Sequence, residues 1–189
     1  RDFFSESPAK YIAGLYALRQ ADLIIANHVF AHNDDLESIV RGVRIMLKPE
    51  GVFIFETNSG LDLLERNLFD IVYHEHMDYH TVAPLCRFFA RHGLQLFRAE
   101  RNESKGGTLR GYVCHAGKRA IELSVPDAID AEYSAGIHMP SRWAEWRERI
   151  DKRRRNVLRQ LGERPFIGYG AAACGIATLH TLGLADRCQ

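Results

Sequence analysis

Leu23-Ile-Ile-Ala26 and Val52-Phe-Ile-Phe55 are short apolar runs of the kind that form strands buried on both faces. Between them lies a polar loop, Asn27-His-Val-Phe-Ala-His32, and then an amphipathic stretch with Leu36, Ile39, Val40, Val43 and Leu47 at helical spacing. Asn33-Asp-Asp35 supplies an N-cap, with Glu37 three residues after Asp34 in capping-box spacing, and Lys48-Pro-Glu-Gly51 stops the helix. Strand, helix and strand in that order make a βαβ unit with parallel strands. In such sheets ligands bind off the carboxyl ends of the strands, which here are Asn27 to His32 and Glu56 to Ser59.

Upstream, Pro8 to Gln20 reads as a helix turning Ile12, Leu15, Tyr16 and Leu18 inward. Downstream, Leu61 to Leu68 reads as a short helix, and Pro84 opens another that buries Leu85, Phe88 and Phe89 and ends at Gly93. Leu94 to Phe97 and Thr108 to His115 form a hairpin that closes the far edge of the sheet antiparallel. A linking stretch, Lys118 to Pro140, carries a short helix near Asp127 to Tyr133. Ser141 caps a long helix to Leu161, with Trp143, Trp146, Ile150, Val157 and Leu161 as its buried stripe. Its run Lys152-Arg-Arg-Arg155 reads as a solvated face, because Glu145–Arg149, Glu148–Lys152 and Asp151–Arg155 are spaced as i, i+4 ion pairs.

The 189 residues carry a formal charge of +1, which gives no electrostatic case for a nucleic-acid partner. No apolar run approaches the length of a membrane span. Cys86, Cys114, Cys174 and Cys188 contain no C-x-x-C pair, so neither a zinc knuckle nor a disulfide framework is indicated, and a cytoplasmic location is expected. Cys174, at a helix start, reads as a buried structural thiol. The chain opens on Arg1 and stops just after an expected helix, so we expect a piece of a longer protein.

The densest chemistry lies in Phe69-Asp-Ile-Val-Tyr-His-Glu-His-Met-Asp-Tyr-His80, with three histidines, two tyrosines and three acids in twelve residues. Structural segments rarely gather titratable groups in this way, whereas proton transfer needs them. His74-x-His76 with His80 also has the spacing of metal ligands on one face of an extended segment. No companion carboxylate–histidine pattern supports a metal, so none is assigned. Gly168-Tyr-Gly-Ala-Ala-Ala173 fits G-x-G-x-x-[GA] between an expected strand from Phe166 and a helix to Leu182. It is either a phosphate cradle or a tight βα turn, and the residues leave both open.

Four stretches resemble the S-adenosylmethionine-dependent sugar C-methyltransferases, which act on nucleotide-linked keto-deoxysugars. They are Ala26 to His32 with Asp35-Leu36; Leu47 to Glu56; Phe69 to His76 with Tyr79, Pro84-Leu85, Phe89 and His92-Gly93; and Gly106 to Val113 with Gly168 to Ala173. The resemblance implies an α/β fold: the C-terminal half of a class I Rossmann-like methyltransferase sheet in residues 1–115. A helical connection and the start of a second α/β subdomain follow in 116–189. It places a catalytic base on His76, supporting groups on Tyr73 and Glu75, and a polar residue across the pocket on His32. Asn27 and His28 fall beside the cofactor, S-adenosylmethionine, and the partner is a small nucleotide-sugar. The family's four-cysteine zinc module and glycine-rich cofactor loop are not in this chain, and Cys174 stands where many members have lysine. The isolated piece is therefore expected to be inactive. An O- or N-methyltransferase, a catalytically inactive nucleotide-sugar-binding module and a nicotinamide enzyme built on Gly168 to Ala173 are the alternatives.

Overall fold

The computed structural model describes residues 4–15, 20–170 and 172–188. Its centre is a mixed four-stranded sheet with strand order β1-β2-β4-β3. β1 (Ala21–Asn27) and β2 (Leu47–Asn58) pair in parallel across α2 (Leu36–Met46), as the βαβ reading requires. The pairing advances from Ala21↔Leu47 to Leu23↔Val52, so Lys48-Pro-Glu-Gly51 is a bulge within the strand's span rather than a separating turn. α2 is capped by Asp35, not by an Asp34–Glu37 box: its carboxylate accepts from the Ser38 amide at 2.9 Å.

β3 (Leu94–Asn102) and β4 (Thr108–His115) form the expected hairpin. β4 lies inside, antiparallel to β2, and β3 forms the far edge. β2 continues two residues past Glu56, with Phe53, Phe55 and Thr57 alternating against Ile54, Glu56 and Asn58. The phenylalanines join Phe30, Val40, Val43, Phe89, Leu94 and Leu96 in the main core.

β1 departs from expectation. It is an edge strand whose Leu23 is 50% and Ile25 58% exposed, because among the described residues nothing packs on that side. α1 (Glu6–Leu15) buries Ala9 and Ala13, while Leu15 is exposed; Tyr16 and Leu18 lie outside the described residues.

α3 (Gly60–Glu65) and α4 (Val82–Arg91) flank the polar block. α4 has no capping side chain of its own. Glu132, buried on α5 (Ser124–Ala135), accepts from the Val82 and Ala83 amides at 2.5 and 3.3 Å, and Pro84 has no amide to satisfy. Burial raises the Glu132 carboxyl above its ordinary value, although these amides oppose the shift. Val125 of α5 belongs to the main core.

α6 (Pro140–Leu161) starts two residues earlier than expected, with Met139 rather than Ser141 at the N-cap and Pro140 in the first turn. Its apolar stripe meets Phe69, Leu182 and Leu184 in a second core with α7 (Ala173–Leu182). Trp146 and Arg149 donate to the Leu63 and Leu64 carbonyls at 3.0 and 2.7 Å, which satisfies the end of α3. Arg149 therefore does not pair with Glu145, which is bonded to Arg142. The strand expected from Phe166 reduces to one bridge, Phe166↔Cys188; Ile167 and Tyr169 are exposed, and Ala171 is outside the described residues.

Candidate active site

Residues 69–80 form no helix or strand, yet both ends are tied down. Phe69 is held in the second core, and His80 bridges Ser59 and accepts from the Gly60 amide at 2.8 Å. The loop thereby lies across the carboxyl end of β2, with Met77 bonded to the Ala31 carbonyl at 3.0 Å.

His76 is at the centre. Its Nδ1 lies 2.6 Å from the Ile71 carbonyl, which can only accept, so Nδ1 carries the proton and Nε2 the lone pair. The Tyr79 hydroxyl donates to the same carbonyl at 3.1 Å. Nε2 is weakly engaged: the Tyr73 hydroxyl is 3.4 Å away. The Asn58 amide nitrogen is 3.3 Å from both ring nitrogens, an equality that takes it off the lone-pair direction of either. A half-buried imidazole with a fixed tautomer and an uncommitted Nε2 is a competent proton acceptor.

The expected neighbours gather unevenly. The Tyr73 ring is 4.4 Å from that of His76, and burial, with Glu75 and Cys174 behind it, raises its hydroxyl pKa, so Tyr73 remains a donor. Cys174 is therefore a half-buried thiol near Tyr73. The His32 ring is 4.9 Å from His76; partial desolvation, then the charge of His76, keeps it below its ordinary value and hence neutral near pH 7. Glu75 is exposed and reaches this group through its charge on His32.

Asn27 is exposed at the end of β1. His28 has φ +52°, and its Nε2 sits 3.2 Å from Glu56. Burial, then the charge of Lys105, lowers its pKa. Burial alone would raise Glu56, but the Arg110 guanidinium at 2.6 Å, helped by His28, holds it below the ordinary carboxylate range.

His74 is exposed and His80 buried, so the three histidines do not share a face. Among the described residues no group of three His, Cys, Asp or Glu is placed to hold a metal ion.

Sequence reasoning missed Asn58, the Ile71 carbonyl and Lys105. Asn58 had a signal, since it falls within the strand-end segment already marked as a ligand edge. Lys105 had none: its charge reaches His28 and His32 from the hairpin turn.

A parallel βαβ unit whose strand ends face an imidazole with one open nitrogen places the chain in the α/β class, and comparison with known proteins gives its family. Residues 2–99 match the family model described as a methyltransferase domain, and residues 103–188 match the model described as a C-methyltransferase C-terminal domain. The chain belongs to the methyltransferase-domain family. It is similar to C-methyltransferase NovU of Streptomyces niveus, with 29% identity over 173 residues, covering 88% of this chain and 41% of that protein. The chain thus spans about two fifths of the length of the curated relative it matches. No helix among the described residues is long and apolar enough to cross a membrane.

Proposed function

We propose that the protein containing this chain is an S-adenosylmethionine-dependent C-methyltransferase acting on a nucleotide-linked keto-deoxysugar. The observation that carries the reading is the 2.6 Å contact of His76 Nδ1 with the Ile71 carbonyl, which calls for a proton on Nδ1 and leaves Nε2 open. Carbon becomes nucleophilic when a proton is removed beside a ketone. His76 Nε2 takes that proton, and the negative charge moves to the ketone oxygen. Tyr73 and neutral His32 are donors for that oxygen, the kind of preorganised stabilisation that works best where charge develops. Glu75 orients His32 or a sugar hydroxyl.

The cofactor reading rests on the carboxyl end of β1. A cavity of about 600 Å³ there has apolar walls from Ile24, Ile25, Val29 and Phe30, and polar points at His32 and Asn33. This fits an adenosine-bearing ligand. Asn27 and His28, at its margin in sequence, would hold the polar part. When bound, S-adenosylmethionine supplies an electrophilic methyl group. The protein's task is then positioning, worth roughly 7–11 kcal/mol in well-oriented reactions.

The test is His76→Asn in the full-length protein. Methyl transfer to a keto-sugar should fall by at least about 100-fold, with S-adenosylmethionine affinity retained. Solvent deuterium should enter the carbon beside the ketone in the parent protein and not in the variant. Undiminished turnover would remove His76 from the base role. Methylation of an oxygen or nitrogen acceptor with no ketone would replace the carbon reading.

A further inference from the structure

The Ile71 carbonyl that sets the His76 ring lies in an irregular loop and needs a support of its own. It sits in the turn closed by the Val72 amide on the Phe69 carbonyl at 3.1 Å, just before a second turn closed by the His76 amide on the Tyr73 carbonyl at 3.0 Å. Among the described residues no backbone amide donates to it. Its donors are two side chains, His76 Nδ1 at 2.6 Å and the Tyr79 hydroxyl at 3.1 Å. A carbonyl oxygen has two lone pairs, and these two donors fill them.

The donors are not equivalent. A carbonyl held by His76 alone cannot define the ring it orients, because carbonyl and imidazole would turn together. Tyr79 supplies a reference from outside the pair. The residue after it, His80, bridges Ser59 beyond the carboxyl end of β2, and its carbonyl accepts from the Gly60 amide at 2.8 Å. The chains pass so close there that a Cβ on Gly60 would fall 3.1 Å from the His80 oxygen and 2.9 Å from Thr81 Cγ2. Tyr79 therefore projects from a post fixed to the sheet.

Its direction matters as much as its mounting. The Tyr79 ring stands edge-on to His76, with an 83° interplanar angle and 6.4 Å between centroids. The hydroxyl goes to the carbonyl behind the ring, and the tyrosine beside Nε2 is Tyr73, at a long 3.4 Å. Burial raises the Tyr79 hydroxyl above its ordinary pKa, so it keeps its proton and donates near neutral pH.

We infer that Tyr79 is a positioning residue for the His76 base: its hydroxyl holds the Ile71 carbonyl so that Nδ1 keeps the proton and Nε2 stays open. The inference rests on the base role proposed above for His76, but the tautomer is readable without any turnover.

The experiment is heteronuclear NMR of the imidazole nitrogens in the full-length protein carrying isotope-labelled histidine, with the His76 signals assigned by their loss in His76→Asn. The parent should show Nδ1 protonated and Nε2 bare. Tyr79→Phe removes one oxygen and keeps the ring, so it should fold. In that variant the ratio of the Nδ1–H to the Nε2–H form should fall about tenfold, the shift that one neutral hydrogen bond supports. Tyr73→Phe, which loses only the long contact to Nε2, should move the ratio far less. Solvent deuterium incorporation beside the ketone should slow about threefold or more in Tyr79→Phe, as misplacing a reacting group does. A parent with Nδ1 bare, a parent-like ratio in Tyr79→Phe, or an equal loss in Tyr73→Phe overturns the inference, as does undiminished incorporation beside a changed tautomer. A tautomer that depends on Tyr79 in a protein that turns over no ketone supports the positioning role and counts against the methyl-transfer reading alone.

Discussion

Two polar clusters sit at the ends of the same strands, and they are built on opposite terms. Around Asp62, fully buried, both carboxylate oxygens are engaged: Arg101 donates at 2.7 and 3.1 Å, Arg66 forms an ion pair at 2.7 Å, and those arginines in turn reach Glu65 and Glu103. Gly107, at φ +137°, passes so close that a Cβ there would fall 2.4 Å from the Asp62 Cγ. Around His76 the tautomer is fixed from behind, while the front nitrogen has only a long contact. Saturation locks a corner of the fold; a deliberate vacancy in hydrogen bonding leaves a group able to exchange a proton.

The contrast can be broken by mutation. The largest expected effect on stability is at Asp62→Ala, which removes the buried partner of two guanidiniums and leaves them Glu65 and Glu103. It should cost about 2–3 kcal/mol, less than a fully buried pair because both arginines are partly solvated. Urea denaturation measures it, and a loss under about 1 kcal/mol would make the corner ordinary surface.

The next effect depends on pH. His80 anchors the 69–80 loop with its Nε2 buried and without a hydrogen-bond partner, beside the Phe30 ring at 5.3 Å. Burial lowers its pKa, and Asp78 is the charge that opposes this. The unfolded chain therefore takes up the proton first, so the stability His80 contributes is complete above its ordinary value of 6.5 and is lost as pH falls from there through the folded value. The slope for this one group is at most about 1.4 kcal/mol per pH unit. His80→Phe should flatten the stability curve below pH 6.5, and an unchanged slope would exclude His80 as its source.

The smallest effect is at Asn58→Ala. Its amide meets the His76 ring off the lone-pair direction, so stability should change by less than about 1 kcal/mol in the same denaturation experiment. A loss as large as that at Asp62 would mean the open cluster is structural as well.

The βαβ unit, the hairpin and the site's central residue were legible because each has a local signature. Apolar runs mark the strands, Leu36 to Leu47 the helical period, and Tyr73 to His80 an uneconomical density of titratable groups. What escaped joins residues far apart in the chain. Asn58 meets His76 across 18 positions, and Glu132 caps α4 across 50. No periodicity encodes such pairs; they exist once the strands are placed. Leu23 and Ile25 misled for a related reason. Their apolar character reports what a strand can bury, and the described residues supply nothing on that side.

The two family models meet between residues 99 and 103, inside β3, and β4 from the second match lies between β2 and β3 from the first. The seam between the two sequence modules is therefore not a seam in the object. A chimaera joined there would have to supply a central strand whose register fits a foreign sheet on both sides, together with an α5 whose acid caps a foreign helix. Exchange of parts within this family should succeed at the loops beyond α5 far more readily than at the point where the sequence models change hands.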